Sequence, residues 1–280
     1  MNRAFFLGAS SDIASALAEF LLERSWKVEG TFRTPSERTD HLESRGAVLR
    51  CLDISDKRAI KSFLADRKIA ENWNLLLLSP SLMEPINLFA NCDWDDWENT
   101  FAVNSIRQFQ VIHGLLNRRR RSGSPLVLLW TGPGTNGVAP RYSAIAAAKI
   151  AQVKMVELLA EEYQDVRFVI VGPGWVATKT HRQTLNAGER AGENLTETQE
   201  RLKSGRVTSI GEIVSFFEWV LDAPTEVVSG RNFAIKADIW GLESLSFMLM
   251  NNSDAFKLRR AFNDWRPGQT SVKYDPPEYK

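Results

Sequence analysis

The sequence has little cysteine and little histidine for its length. Its 280 residues include two cysteines, Cys51 and Cys92, which are too few for a secreted disulfide framework or a cysteine-rich zinc site. The three histidines, His41, His113 and His181, show no spacing typical of metal ligands. We therefore expect neither disulfides nor a metal centre.

Long apolar runs are also lacking. No stretch reaches the roughly 18 consecutive apolar residues that a membrane-spanning helix needs, and the run at residues 4–7 is too short for the core of a signal peptide. Neither sign of charge predominates, because 35 Lys and Arg residues stand against 34 Asp and Glu residues. A dedicated nucleic-acid-binding protein usually carries a clear basic excess. The sequence therefore predicts a cytoplasmic globular protein that binds neither membranes nor nucleic acid.

Short apolar runs alternate with segments of helical periodicity along the chain. Seven runs are typical of strands, at residues 4–7, 26–32, 48–52, 75–78, 126–130, 166–171 and 232–235. Helices are predicted between them, at residues 13–21, 60–69, 94–116, 144–163 and 212–221. This alternation predicts an α/β fold with a doubly wound parallel sheet and helices on both faces. Such sheets bind ligands beyond the carboxyl ends of their strands.

Residues 1–241 hold all these elements and form one predicted domain, and residues 242–280 form a C-terminal extension. The extension begins with an apolar segment at residues 242–250, which would favour association if left in water. We expect it to pack against another subunit or to cover the substrate cleft, and we expect a homo-oligomer, either a dimer or a tetramer. The polar segment 187–206 lacks an apolar stripe and is predicted to be a mobile loop or lid.

A glycine turn follows the first predicted strand and leads directly into a helix. Its candidate binding residues are Gly8, Ser10, Ser11, Asp12 and Ile13. The N-terminus of a helix presents free N–H groups and a partial positive charge, which suit a pyrophosphate. The other two glycines of the usual motif are replaced by Asp12 and Ala14. A plain strand–helix turn without a ligand remains the alternative.

With this turn in place, the sequence resembles the short-chain dehydrogenase/reductase family over roughly residues 4–241. The turn is similar to the family's TGxxxGxG motif, residues 96–104 to its helix with a structural and catalytic Asn, residues 173–178 to its PG motif, and residues 229–230 to its closing element. The resemblance implies a Rossmann-type fold and an NAD(P)-dependent oxidoreductase with a small-molecule substrate. It also implies that Asp53 contacts adenine, that Asn104 belongs to the active site, and that the nicotinamide lies near Pro173, Gly174 and Thr178.

The end of the second predicted strand bears on the choice of cofactor. An NAD site places a carboxylate there for the ribose 2′-hydroxyl, whereas a cation suits the 2′-phosphate of NADP. Phe32 stands in the carboxylate's place and Arg33 follows it. The sequence therefore favours NADP, with NAD as the alternative. In a different interpretation, Arg33 stacks on the adenine or lies in solvent.

The catalytic segment departs from the family pattern. Lys149 fits the Lys of the family's Tyr-x-x-x-Lys motif, but Ile145 stands at the Tyr position and Gly132 at the position of the usual Ser. Neither can donate a proton. Tyr142, seven residues before Lys149, matches instead the Tyr-x-x-Met-x-x-x-Lys spacing of the divergent branch, typified by enoyl-acyl-carrier-protein reductases. Reduction of a conjugated C=C bond places the proton donor further from the nicotinamide, as an upstream Tyr would be.

We therefore predict catalysis by Tyr142, Lys149 and Asn104, with Tyr142 as proton donor. Lys149 is expected to hold the ribose hydroxyls, and its charge is expected to lower the pKa of the phenol. Two alternatives remain open. One is a catalytically impaired nucleotide-binding pseudo-enzyme, and the other is a sugar or nucleotide-sugar oxidoreductase whose acid comes from the substrate or a bound water.

Overall fold

The computed structural model describes residues 1–260, in which one parallel sheet of seven strands is the central element. The strand order is β3-β2-β1-β4-β5-β6-β7, and each neighbouring pair is parallel. The strands are β1 Arg3–Leu7, β2 Lys27–Phe32, β3 Val48–Cys51, β4 Leu75–Leu78, β5 Leu126–Trp130, β6 Arg167–Gly172 and β7 Arg231–Ala234. The predicted Rossmann-type α/β fold is confirmed.

The central strands are buried on both faces, and their side chains alternate between two cores. Phe6 of β1 belongs to the core on one face, whereas Phe5 and Leu7 belong to the core on the other. The four leucines of β4 divide in the same way. Continuous apolar runs are typical of parallel strands that helices cover on both sides. Because β1 and β4 bury only apolar side chains, polar groups for chemistry must come from the loops at their ends and from neighbouring elements.

Eleven α-helices flank the sheet within the described residues. They are α1 Asp12–Glu23, α2 Glu37–Ser44, α3 Lys57–Ala65, α4 Trp94–Phe101, α5 Arg107–Leu116, α6 Ser143–Glu162, α7 Lys179–Ala187, α8 Glu193–Ser204, α9 Ile210–Asp222, α10 Thr225–Val228 and α11 Glu243–Asn251. A π-helical stretch, Ala102–Ile106, joins α4 to α5 without a break. The long helix predicted over residues 94–116 is therefore present, with a widened turn of a kind often found at functional sites. None of the described helices is both long and apolar enough to cross a membrane.

Residues 187–206, predicted to be a mobile loop or lid, are helical, so the expectation of a loop is wrong. This segment contains a 3-10 turn and α8, and it follows α7 closely. It is held by a few inward contacts: Ala191 and Thr198 are buried, and the Asn194 amide donates to the Pro140 carbonyl (2.9 Å). Because so few of its residues turn inward, its polar sequence shows no apolar stripe.

The C-terminal extension packs on the sheet through α11. Leu245 and Leu249 are buried in the same core as Phe6, and the Arg231 guanidinium of β7 donates to the Leu249 carbonyl (2.6 Å). Phe247 remains 68% exposed on the opposite side of α11. Part of the apolar segment therefore packs in the core of its own chain, which differs from the expected packing against another subunit or over the substrate cleft. Residues 261–280 of the extension lie outside the described residues.

Candidate active site

The loops after β1, β2, β4, β5 and β6 meet at the carboxyl edge of the sheet. The chain order reverses between β1 and β4, so the loops that leave these two strands diverge. In open α/β sheets such a reversal forms the crevice that binds ligands. The predicted site residues lie in these loops, in the first turns of the helices that follow them, or in α6 and the π-helical stretch beside them.

The turn after β1 is tied to the neighbouring strand. Gly8 has a φ of +78°, a left-handed conformation that favours glycine. Its N–H donates to the Thr31 hydroxyl (3.1 Å), and the N–H of Ala9 donates to the Thr31 carbonyl (2.7 Å). Ser10 is half-buried in the same turn. These contacts fix the path of the chain into α1.

The first turn of α1 is fixed by Ser11. The Ser11 hydroxyl accepts from the Ala14 N–H (3.2 Å), which caps the helix. It also shares a hydrogen bond with the Ser79 hydroxyl after β4 (2.6 Å), and Ile13 is half-buried beside it. The positive end of α1 is thereby held at the crevice between β1 and β4.

Asp12, the first residue of α1, pairs with a cation that the sequence did not predict. Its carboxylate lies 2.5 Å from the guanidinium of Arg38 on α2. Asp12 occupies the position of a glycine that normally lets the backbone approach a pyrophosphate. A lone carboxylate there would repel the anion. The Arg38 cation offsets this charge at the N-terminus of α1, where a pyrophosphate would bind.

Arg33 and Asp53 follow the paired ends of β2 and β3. The N–H of Leu52 donates to the Phe32 carbonyl (2.8 Å), which keeps the two loops side by side, and Arg33 is exposed. The Asp53 Oδ1 accepts from the N–H and the hydroxyl of Ser55 (2.9 and 2.8 Å). This oxygen stabilises the turn toward α3. The predicted adenine contact would therefore use the other carboxylate oxygen.

Lys149 of α6 is buried beneath the loop that follows β5. A Cβ atom built on Gly132 would lie 3.3 Å from the Lys149 Cγ and 3.7 Å from the Ile145 Cδ1. The positions of the family's Ser, Tyr and Lys are therefore adjacent, but two of them carry no polar side chain. Burial lowers the pKa of Lys149 to about 7, because a low dielectric disfavours the charged amine.

The Lys149 ammonium is hydrogen-bonded to a buried amide. Its Nζ donates to the Gln152 Oε1 (3.0 Å), and the Gln152 Nε2 donates to the Gln108 Oε1 of α5 (2.8 Å). Both glutamines are fully buried. Lys149 is thus joined to α5 through Gln152 and Gln108, neither of which was predicted to belong to the site.

Asn104 is fully buried in the π-helical stretch. Its amide donates to the carbonyls of Leu82 (2.7 Å) and Thr100 (2.9 Å), and its Oδ1 accepts from the Leu82 N–H (3.3 Å). These contacts clamp the loop after β4 against the helix. Asn104 therefore has a clear structural role, and its predicted catalytic role stays a prediction.

Tyr142 immediately precedes α6 and is 5% exposed. Its hydroxyl lies 2.8 Å from the Thr184 Oγ1 of α7, with either atom able to donate. Burial raises the pKa of the phenol, and the hydrogen bond to Thr184 opposes this rise in part. The expectation that Lys149 lowers this pKa is wrong, because the phenol faces Thr184 while the ammonium faces Gln152.

The predicted PG motif forms a tight turn after β6. Gly174 has a φ of +73°, and a Cβ atom there would lie 2.5 Å from the Thr208 hydroxyl, so a side chain is excluded on two grounds. Pro173 precedes it, and Thr178 is the residue before α7. The turn thus leads the chain from the sheet into α7 at the crevice.

The segment from α7 to α8 covers the site and bonds to the loops beneath it. The Gln183 Oε1 of α7 accepts from the N–H of Met83 after β4 (3.0 Å). The Arg141 guanidinium, beside Tyr142, donates to the Arg190 carbonyl (2.9 Å). Together with the contact to Thr184, these bonds place a helical cover over the proposed proton donor.

Four residues of the site were not predicted, namely Arg38, Gln108, Gln152 and Thr184. The two glutamines stand at helical spacing among the apolar residues of predicted helices, since Gln152 is seven positions after Ile145. A lone polar side chain on an apolar face was therefore an available signal. Arg38 and Thr184 lie on short polar helices, α2 and α7, that the periodicity did not indicate. Within residues 1–260, no three His, Cys, Asp or Glu side chains come together as metal ligands.

Comparison with known proteins agrees with this fold. Residues 8–237 match a family model described as enoyl-(acyl carrier protein) reductase. The 3-oxoacyl-(acyl-carrier-protein) reductase of Salmonella typhimurium is 24% identical over 244 residues, which cover 85% of this chain and 96% of that protein. A chloroplastic NADPH-dependent aldehyde reductase-like protein of Arabidopsis thaliana is 26% identical over 196 residues, which cover 63% and 73%.

Solved structures show the same architecture. A short-chain dehydrogenase/reductase of Saccharomyces cerevisiae matches with a TM-score of 0.74 at 17% identity, and the match covers 88% of this chain and 98% of that one. At this identity the likeness concerns the fold. With the family model matched over most of the chain, the chain belongs to the short-chain dehydrogenase/reductase family of oxidoreductases.

The family implies an NAD(P) cofactor, and the residues at the carboxyl edge fit one. Gly8 and the capped N-terminus of α1 lie where a pyrophosphate would bind, and the Asp12 charge there is offset by Arg38. Arg33 is exposed at the end of β2, on the side expected for the adenosine ribose. Lys149 lies beside Gly132, at the end of the crevice where the nicotinamide would be expected. We call this part, with Tyr142, the reaction end.

Proposed function

We propose that this chain is an NADPH-dependent reductase of a small carbonyl or conjugated enoyl substrate. The cofactor supplies a hydride to the substrate when it is bound. The observation that carries the proposal is the placement of the Gly8–Ile13 turn and Lys149 at the same carboxyl edge, on the two sides of the point where the strand order reverses. The names of the relatives that reduce acyl and aldehyde groups support the substrate class.

In this proposal NADPH is preferred over NADH. Arg33 would bind the 2′-phosphate, whereas Phe32 offers no carboxylate for a ribose hydroxyl. One relative is by its name NADPH-dependent. The remaining binding residues are those of the predicted set: the turn residues Gly8, Ser10, Ser11, Asp12 and Ile13, then Asp53, Lys149, Pro173, Gly174 and Thr178.

Fluorescence titration with both cofactors tests this preference. A charge-assisted hydrogen bond to phosphate contributes roughly 1.5–3 kcal/mol, so we expect NADPH to bind about ten- to a hundredfold more tightly than NADH. Arg33→Gln should bring the two dissociation constants closer together. Equal affinities in the wild type, or tighter binding of NADH, would contradict the preference.

At the reaction end, Lys149 would bind the ribose hydroxyls of the nicotinamide nucleotide, and the Tyr142 Oη would give its proton to the substrate. Since burial raises the pKa of this phenol, Tyr142 keeps its proton at neutral pH and remains able to donate it. The contact with Thr184 would hold the ring in place under α7. Asn104 would maintain the loop after β4 that closes this part of the site.

We also propose that the protein is a homo-oligomer, either a dimer or a tetramer. Exposed apolar side chains support this: Phe89 and Trp94 are 61% and 59% exposed near α4, and Phe247 and Met250 of α11 are 68% and 53% exposed. Apolar surface of this kind favours association between chains.

A further inference from the structure

A series of hydrogen bonds runs from Lys149 through Gln152 and Gln108 to backbone carbonyls of the loop after β4 and of the π-helical stretch. The Lys149 Nζ donates to the Gln152 Oε1 (3.0 Å), the Gln152 Nε2 donates to the Gln108 Oε1 (2.8 Å), and the Gln108 Nε2 donates to the carbonyls of Pro80 (2.9 Å) and Val103 (3.1 Å). Pro80 follows β4, and Val103 lies in the π-helical stretch. The series thus connects three elements around the site.

The order of donors and acceptors in this series of hydrogen bonds is fixed where it meets the backbone. A carbonyl oxygen only accepts hydrogen bonds, so the amide nitrogen of Gln108 must face Pro80 and Val103. The Gln108 oxygen then faces Gln152 and requires the Gln152 nitrogen. The Gln152 oxygen is in turn left facing Lys149. An ammonium can only donate hydrogen bonds, and the Gln152 oxygen that faces it is an acceptor.

The surroundings of Lys149 offer little other support for a charge. Lys149 is 3% exposed, and Gln108 and Gln152 are fully buried. Its stem lies beside Gly132, with Ile145 near the same glycine, and both residues are apolar where the family has hydroxyl groups. Burial is the sole cause of its lowered pKa, with no contribution from a charged side chain of the described residues. A buried polar group is costly unless it is hydrogen-bonded, so the oxygen of Gln152 has a large effect here.

We propose that Gln152 and Gln108 are positioning residues that hold the Lys149 ammonium in place and in its charged form. This inference rests on the proposed function for its consequence, which is that a charged Lys149 is available to bind the ribose hydroxyls. The two amides would supply hydrogen bonding to the ammonium at a site where Ile145 and Gly132 provide no hydroxyl groups.

The test is an NMR titration of Lys149 in the full-length protein, with lysine labelled with ¹³C at Cε. Lys149→Arg identifies the signal by its loss. The wild-type signal should titrate with a midpoint of about 7. Gln152→Met has nearly the same shape and no strong acceptor, so the midpoint should fall by about one unit or more. Gln152→Asn is too short to reach Lys149 and should lower the midpoint in the same direction, which keeps the test decisive should Gln152→Met fail to fold.

A second variant should move the midpoint the opposite way. In the double variant Gln108→Met/Gln152→Glu, the new carboxylate of residue 152 pairs with the Lys149 ammonium. Gln108→Met removes the amide oxygen that would otherwise face and repel this carboxylate. The midpoint should rise by about one unit or more. Gln110→Met, on the same helix but outside the chain of hydrogen bonds, is the matched control and should leave the midpoint unchanged.

Opposite shifts support the proposal, because general damage to the structure would not change sign with the charge at residue 152. An unchanged midpoint in Gln152→Met and Gln152→Asn, or shifts of the same sign in all variants, would overturn it. The titration needs neither cofactor nor turnover. A wild-type protein that binds neither NADPH nor NADH would contradict the proposed function and leave the titration result standing.

Discussion

The proposed nucleotide end of the site (residues 8–13 and Arg38) and its proposed reaction end (Gly132, Tyr142 and Lys149) differ from the family pattern in different ways. At the nucleotide end a charge is added, Asp12, and a partly exposed cation, Arg38, offsets it. At the reaction end polar groups are removed, since Gly132 and Ile145 replace hydroxyl-bearing residues, and the remaining Lys149 is hydrogen-bonded through two buried amides. A partly exposed carboxylate can be offset by an ion pair that water screens, whereas a buried ammonium is costly unless it is hydrogen-bonded.

The largest expected effect comes from removing α11, which packs on the sheet beside β7. Truncation after Gly241 takes away Leu245 and Leu249, which are buried in the core. It also removes the carbonyl of Leu249 that accepts from the Arg231 guanidinium of β7. Losing two buried leucines costs about 3–6 kcal/mol, and an unsatisfied buried donor costs about 1–3 kcal/mol more. Since domains are stable by about 5–15 kcal/mol, we expect a large fall in melting temperature and lower solubility.

A chain that ends at Arg260 is the control for this truncation. It keeps Leu245, Leu249 and the carbonyls that bind Arg231, so calorimetry should show a melting temperature well above that of the shorter chain. Sedimentation of both chains would show whether the extension also affects the oligomer. If the chain ending at Gly241 melts and sediments like the full-length protein, then the packing of α11 does not stabilise this half of the sheet.

The next effect concerns the proton donor at the reaction end. Tyr142→Phe removes the hydroxyl that bonds Thr184 while keeping the ring. Loss of a positioned general acid typically lowers the rate by about 10²–10⁴, and NADPH affinity should change little because the substitution is far from the nucleotide end. The measurement is single-turnover oxidation of NADPH with a panel of enoyl thioesters, ketones and keto sugars.

Tyr163→Phe, at the other end of α6, is the matched control and should retain the wild-type rate. Survival of activity in Tyr142→Phe would remove Tyr142 from the mechanism and favour an acid supplied by the substrate or by water. Absence of activity across the panel in the wild type would leave the reductase proposal without support and favour the pseudo-enzyme interpretation.

The two ends also differ in how far they could be predicted. The apolar runs of β1 and β4 and the glycine turn indicated the sheet and the crevice, because buried parallel strands show up as continuous apolar runs. A lid over residues 187–206 was one expectation, but the helices that form the cover over Tyr142 were not predicted, since α7 and α8 turn few residues inward. The contact between Tyr142 and Thr184 joins residues 42 positions apart, and local periodicity carries no information about such a pair. Spacing placed Tyr142 near Lys149 in sequence but could not tell which way either side chain points.

The smallest expected effect separates charge balance from shape at the nucleotide end. Arg38→Gln leaves the Asp12 carboxylate without this cation near the bound pyrophosphate, so NADPH should bind more weakly. The Arg38 side chain is 41% exposed and solvent screens it, so we expect a loss of about two- to fivefold. Asp12→Asn in the same chain should restore most of the affinity, because the repulsion that Arg38 offsets is then gone. Arg45→Gln is the control, since Arg45 and Glu23 (3.8 Å) join the same two helices at the other end. If Asp12→Asn restores none of the affinity that Arg38→Gln loses, Arg38 contacts the cofactor independently, and the pair does not compensate for the missing glycine.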